Sequence, residues 1–360
     1  MAGAFAGLLC SCSSDEEVKI GDNYIEKFEV AGYSGTPKND QDKIHLLISE
    51  EDYENLFSAE PPYIKPSQYA TLSDNCRNWV SENFSCTVIA ENGDPRTYTL
   101  YIDIIRKRYS FESWVLSNGN TGYSIPSGSN SSWTSGNAGI SLALQFLSGR
   151  DHTDPKSYPT RDTADVHGNA VLMETLEGGT VFGRKVPLFS GNFILGNFNE
   201  AKAITDELSA TEVGQIYNNK PKSIKGYYKY KEGPGVFMNN GEEEPTITHD
   251  FCSMNVKFYQ SDSPSSGKDT ILTVRDMDNS DLVIATASNP ADNQNCKETE
   301  GDDFHTFELI LNYTSEPDFE NHNYKLGMTF AASKDGDKYA GKIGTRLIID
   351  EIRIIDYGEE

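Results

Sequence analysis

Asp350 is the residue in this chain that most needs a chemical explanation. It lies in Leu347-Ile-Ile-Asp-Glu-Ile-Arg-Ile-Ile355, a run whose Leu and Ile content reads as a buried strand. At period two, Ile348, Asp350, Ile352 and Ile354 share one face, and Leu347, Ile349, Glu351, Arg353 and Ile355 share the other. A carboxylate among isoleucines is costly unless it is paired, hydrogen-bonded or bound to a metal. Arg346, Arg353, backbone N–H groups and a hard cation are the partners this stretch leaves open.

A second group of residues could stack on flat, partly apolar ligands such as sugar rings: Trp114, Trp133, Tyr227, Tyr228 and Tyr230. Trp133 is the favoured platform, because Asn130-Ser-Ser and Thr134-Ser-Gly flank it with loop residues. Tyr228 and Tyr230 alternate onto one face of their strand, with Tyr227 and Lys229 on the other, and one face must be core. Glycoside hydrolysis would require two facing carboxylates. Asp162, Asp165 and Glu174 lie near strand ends, but no spacing marks an acid and a base among the 55 Asp and Glu. The six histidines show no ligand spacing, and G-x-S-x-G, P-loop and C-x-x-C patterns are absent. Asp276-Met-Asp-Asn-Ser-Asp281 lacks the Gly and distal Glu of a calcium loop and reads as a hairpin tip.

The elements that must carry these residues are short and mostly β. The 360 residues include 30 Gly and 15 Pro, and few segments hold a 3.6-residue period, so the expected class is all-β. A net charge of −24 makes nucleic acid and anionic membrane surfaces poor partners, since phosphate binding relies on Lys and Arg. Residues 1–21 read as a signal-peptide remnant and tether. Leu9-Cys-Ser-Cys12 resembles a bacterial lipobox with Cys12 as the acylated residue, followed by the acidic Asp15-Glu-Glu17. Acylation there predicts a lipid anchor at the outer membrane and exposure at the cell surface.

Residues 22–107 predict a small β-sandwich, with strands at Tyr24–Val30, Lys43–Ile48, Phe84–Ala90 and Thr97–Ile105. Tyr98, Leu100, Ile102 and Ile104 alternate inward after a Glu91–Asp94 turn. Ile25, Phe28, Phe84, Val88, Ala90, Gly93, Tyr98, Leu100 and Ile102 resemble the pattern of immunoglobulin-like modules in Bacteroidetes lipoproteins, which implies a spacer. No flexible linker follows Arg106-Lys-Arg108. From 108 to 360 alternation recurs, at Ile140/Leu142/Leu144/Phe146, at Ala170/Leu172 and at Met254/Val256/Phe258. It continues at Phe307/Leu309/Leu311/Tyr313 and Tyr324/Leu326/Met328/Phe330. One short helix fits Asp206–Asn218. Long polar loops between strands predict a large antiparallel sandwich of jelly-roll type with one concave face.

Phe111-Glu-Ser-Trp114, Trp133, Gly168-Asn-Ala170, Thr175, Gly191-Asn-Phe193, the Pro221–Tyr230 run and the closing Ser333…Ile349-Asp350-Glu351 together resemble the putative carbohydrate metabolism domain of gut Bacteroidetes lipoproteins. The resemblance covers 109–357. It implies a jelly-roll related to carbohydrate-binding modules and a surface role in handling glycan, beside other glycan-uptake proteins. In many carbohydrate-binding jelly-rolls, an opening Phe-Glu strand and a closing Ile-Asp strand hold a structural Ca²⁺. Glu112 and Asp350 are the matching residues here.

Of the six cysteines, four remain beyond the lipobox region, two in each domain. Cys76–Cys86 and Cys252–Cys296 are candidate bridges in an oxidising compartment, and Cys86 fits a buried thiol equally well. The expected function is oligosaccharide or polysaccharide binding without chemistry. A two-carboxylate glycoside hydrolase and a structural or adhesive surface protein are the alternatives. An aromatic-lined groove, facing carboxylates or a flat polar face respectively distinguishes the three.

Overall fold

A computed structural model describes the chain except residues 1–19, 81–82, 146, 148–149, 166–167, 182, 200–201, 203–205, 263–268, 290–302 and 359–360. Cys12, Phe146 and Cys296 therefore lie outside the described residues. The chain divides into two compact units, one formed by 1–104 with 358–360 and the other by 105–357. Both are β-sandwiches, and no helix among the described residues is long and apolar enough to cross a membrane.

In the first unit, the Tyr63–Pro66, Ile25–Val30, Tyr33–Lys38 and Lys43–Ser49 strands pair in that order, each antiparallel to the next. Thr71–Leu72, Ser85–Ile89 and the start of Pro95–Tyr109 form a second antiparallel set. Strict alternation drives both: Ile44, Leu46 and Ile48 point inward, as do Cys86 and Val88, and as do Tyr98, Leu100, Ile102 and Ile104. Phe28, Trp79 and Phe84 lie between them, with ring centroids 5.0–6.2 Å apart. Cys86 is bridged to Cys76 (Cα–Cα 4.2 Å).

In the second unit two antiparallel sheets face each other. In the first, Thr160–Asp165, Gly168–Val181, Arg346–Tyr357, Pro221–Lys231 and His305–Ile310 lie side by side. The second runs Leu272–Thr273, Thr211–Val213, Asn192–Phe198, Tyr324–Ala331, Ser253–Gln260, Val283–Ser288 and Asn312–Tyr313. Their inner faces make one core. Val171, Met173, Tyr228, Tyr230, Leu347 and Ile349 come from the first sheet, and Phe193, Met254, Val256, Phe258, Met328 and Phe330 from the second.

Two sequence expectations are corrected here. Ile140, Leu142 and Leu144 do not alternate on a strand. They belong to the helix Asn137–Leu144, where only Asn137 and Leu144 are buried. The run at 347–355 does not keep one register either. Leu347 and Ile349 face the core with Ile352 and Ile354, because the strand bulges at Glu351. Tyr227 pairs Asp350 and Lys225 pairs Arg353, so Glu351 and Ile352 both stand opposite Gly226. Glu351 takes a left-handed backbone (φ 53°), and the opposing Gly226 has no space for a side chain, since a Cβ there would lie 2.7 Å from the Phe307 ring. The bulge switches faces, leaving Asp350 opposite the core side.

Candidate functional site: a groove on the outer face of the second sheet

Residues that alternate with the core positions of the second sheet line a groove of about 830 Å³. Register sets its floor in rows: Asn192, Ala331 and Ser253 stand abreast, then Ile194, Thr329, Asn255 and Ser288, then Gly327 and Lys257. Apart from Ile194 and Lys257, the floor is amide, hydroxyl and small. Gly327 is small because Val213 and Met277 cover it: a Cβ would lie 2.6 Å from the Val213 Cγ1 atom. One wall comes from Ile140, Leu142 and Ala143 of the helix with Phe189, and the other from Phe251 and the Lys334–Tyr339 turn.

Tyr339 and Phe251 are half-buried aromatic rings on that second wall. Tyr339 ends the short 3-10 turn Gly336–Lys338 in a left-handed conformation (φ 57°, ψ 37°), a place where glycine is usual. Holding a bulky residue there costs about 1–2 kcal/mol, so the surrounding structure must fix it. Asp250 supplies much of that fixation. It is 3% exposed; its Oδ1 accepts Phe251 N–H (2.7 Å), and its Oδ2 accepts Ser333 Oγ (2.6 Å), Lys342 N–H (2.8 Å) and Thr345 Oγ1 (2.8 Å). Burial pushes the Asp250 pKa up against these four bonds, which favour the charged form. One buried carboxylate thus ties down both ends of the aromatic wall.

Charges at the groove are matched. Lys257 pairs with Asp278 (3.2 Å) and Lys338 with Asp335 (2.7 Å). The Asp335 carboxylate, with Asp337 and Asp278 adding to it, holds the Lys338 ammonium above its ordinary pKa. Asp278 comes from the stretch read as a hairpin tip, before the Val283–Ser288 strand, and Asp335 from the turn after Tyr324–Ala331.

The residues singled out from sequence lie elsewhere. Trp133 is not an exposed platform. It is 2% exposed, stacked on Phe193 (4.8 Å, 6°) and edge-on to Tyr109 and Phe111. Its polar flanks belong to the loop around it, but its own backbone pairs with the strand at Leu195 and its ring fills the core. Tyr228 and Tyr230 are 5% and 3% exposed, and Tyr230 donates its hydroxyl to Asp250 O (2.7 Å). Trp114 packs against the same core and donates Nε1–H to Phe111 O (2.6 Å). None of the four lines the groove.

The carboxylates weighed for catalysis are on the first sheet, each with partners. Asp162 accepts Ser124 Oγ (2.6 Å), and Asp165 takes Lys229 Nζ on both oxygens (2.9 Å each). Burial raises the Glu174 pKa, but bonds from Arg161 and Arg346 outweigh it and hold the group below its usual range. A general acid would need the opposite shift.

The Glu112 charge reaches Asp350 and helps to raise its pKa. Asp350 is 1% exposed, its Oδ1 accepts Glu351 N–H (2.7 Å), and its Oδ2 has no hydrogen-bond partner. Arg346 and Arg353 are turned to Glu174 and Glu351 instead. Burial raises the Asp350 pKa to about 7, and the charges of Glu351, Glu112 and Asp165 add to the shift. Glu112 uses one oxygen on Asn169 N–H (2.9 Å). No group of three or more His, Cys, Asp or Glu is placed to hold a metal among the described residues. An orphaned carboxylate oxygen amid negative charge is nevertheless the kind of ligand a hard cation takes.

None of the curated proteins matches this chain. Among solved structures, one from Bacteroides thetaiotaomicron, described as a putative glycoside hydrolase, is similar over 96% of this chain and 99% of its own, at 24% identity and TM-score 0.59. Another from Bacteroides vulgatus, with the same description, is similar over 70% of this chain and 98% of its own, at 28% identity and TM-score 0.57. The model of the family described as "putative carbohydrate metabolism domain" matches residues 110–355, which contain both sheets and the whole groove. The chain belongs to that family.

Proposed function

We propose that the chain captures oligosaccharide or polysaccharide in the groove of its second unit, without chemistry of its own. The observation that carries this reading is the groove itself: a floor of amides and hydroxyls beside the half-buried rings of Phe251 and Tyr339, the combination that hydrogen-bonds sugar hydroxyls and stacks on their C–H faces. Membership of a carbohydrate-related family supports it. The Leu9–Cys12 lipobox supports a lipid anchor on the outer membrane, facing outward, beside other glycan-uptake proteins. The Cys76–Cys86 bridge and a disulfide-bonded Cys252, whose expected partner Cys296 lies outside the described residues, fit an oxidising compartment.

Hydrolysis is the second reading. It draws on the descriptions of the two Bacteroides structures and on Asp278 and Asp335, which both line the groove and act on Lys338. Their side chains are 82% and 42% exposed, whereas a general acid is normally desolvated. Release of reducing ends that Asp278→Asn or Asp335→Asn abolishes would replace binding with hydrolysis.

A structural Ca²⁺ held by Asp350 and Glu112 is part of the same proposal, resting on the orphaned Asp350 oxygen. The test of the main reading is a glycan-array screen of residues 20–360 beside Tyr339→Ala. Binding that falls about tenfold or more on loss of the ring, a loss of about 1.4 kcal/mol, is the expected result. Folded wild type that binds no glycan would end the carbohydrate reading.

A further inference from the structure

We infer that the groove selects uncharged glycan and rejects uronic-acid or sulfated polymers; this rests on the binding reading above. Among the described residues, six charged side chains line the groove: Lys257, Lys334 and Lys338 against Asp278, Asp335 and Asp337. Their formal charges cancel. Two of the three lysines are also neutralised pairwise, Lys257 by Asp278 at 3.2 Å and Lys338 by Asp335 at 2.7 Å.

The geometry makes this cancellation local. Lys257 is the cation that rises from the floor, standing beside Gly327 in register, and its ammonium is directed to the Asp278 carboxylate on the rim. Lys338 lies in the turn that presents Tyr339, and Asp335, Asp337 and Asp278 all stabilise its charge. A carboxylate or sulfate seeking Lys257 or Lys338 would first have to displace an aspartate, and Lys334 is offset only by the overall charge balance. The anion would also approach a molecule of net charge −24. Nothing on the floor provides the forked arginine that anion recognition favours, since no arginine among the described residues lines the groove. Asn192, Ser253, Asn255, Ser288 and Thr329 instead offer neutral donors and acceptors, the complement of hydroxyl groups.

The cancellation has a testable weakness, because both aspartates are on the exposed rim and can be neutralised without touching the core. The experiment is affinity electrophoresis and titration calorimetry of the whole protein. It compares neutral polysaccharides (galactomannan, xyloglucan, mixed-linkage β-glucan) with anionic ones (polygalacturonate, chondroitin sulfate), from 50 to 500 mM NaCl. Wild type should bind at least one neutral polymer with less than about twofold change across that salt range, where screening removes long-range charge effects, and neither anionic one. The Asp278→Asn, Asp335→Asn double variant should gain salt-sensitive binding of the anionic polymers. Preference of wild type for an anionic polymer, or neutral binding that collapses with salt, overturns the inference while leaving glycan binding intact. A double variant that binds anionic polymers no better than wild type also overturns it. Failure of folded wild type to bind either class overturns the glycan reading itself, and this inference with it.

Discussion

Asp350 has one carboxylate oxygen on the Glu351 N–H and the other with no partner, at 1% exposure. Its pKa rises from 3.8 to about 7, which gives stability a definite pH dependence in metal-free protein. Below about pH 4 the group is protonated both folded and unfolded and costs nothing. Between about pH 4 and 7 the unfolded chain gives up the proton first, so stability falls as pH rises. Above pH 7 the full cost, on the order of 4 kcal/mol, is in place. Asp350→Asn should therefore flatten unfolding free energy across this window and, in EDTA, exceed wild type at pH 8. Millimolar Ca²⁺ should raise the wild-type Tm at pH 8 by several degrees and leave Asp350→Asn unmoved. A variant that keeps the wild-type pH slope would contradict the pKa assignment, and a wild type indifferent to Ca²⁺ the metal. The anomaly of Asp350 was visible in sequence because a charge among isoleucines breaks the pattern of its own strand. Trp133 was misread because polar neighbours describe a loop and not the direction of the ring. Tyr339 gave no signal at all: what makes it a wall residue is a left-handed backbone that its side-chain type argues against.

Among the elements, alternation served well wherever a strand had one face in a core, as in Met254/Val256/Phe258 and Leu326/Met328/Phe330. The same alternation contained the groove. Asn255 and Lys257 on one strand and Gly327, Thr329 and Ala331 on the next are the out-facing positions, smaller and less charged than solvent-facing strand residues usually are. The Asn137–Leu144 helix escaped because apolar residues at 140, 142 and 144 match period two as readily as one and a half turns. The Glu351 bulge escaped because nothing but a positive φ at a non-glycine residue marks it. Glu351 is retained there with an ion pair to Arg108 at 7% exposure. Glu351→Ala loses that pair and keeps the backbone strain, whereas Glu351→Gly loses the pair and relieves the strain. In urea unfolding, the glycine variant should be the more stable of the two by about 1 kcal/mol. The reverse order would mean that the left-handed bulge is not formed in solution.

For the whole molecule, composition and periodicity were enough for an all-β chain with a small sandwich followed by a larger one. They could not place the site, because the groove gathers residues from strands at 192–198, 253–260, 283–288 and 324–331 and from a turn at 334–339, far apart in the chain. Only the pairing register puts Asn192, Thr329, Asn255 and Lys257 on one surface. The central claim, that this surface is where glycan binds, can be tested by filling it. Thr329 lies mid-floor and half-buried with its side chain directed into the groove, so Thr329→Trp occupies the space without entering the core. The measurement is the dissociation constant, by titration calorimetry, of an array-selected neutral oligosaccharide for wild type and Thr329→Trp, with Tm recorded for both. Binding weakened at least about a hundredfold, close to 3 kcal/mol, with Tm within a few degrees of wild type, is the predicted result. An unchanged dissociation constant in the folded variant would place the glycan site elsewhere on the molecule.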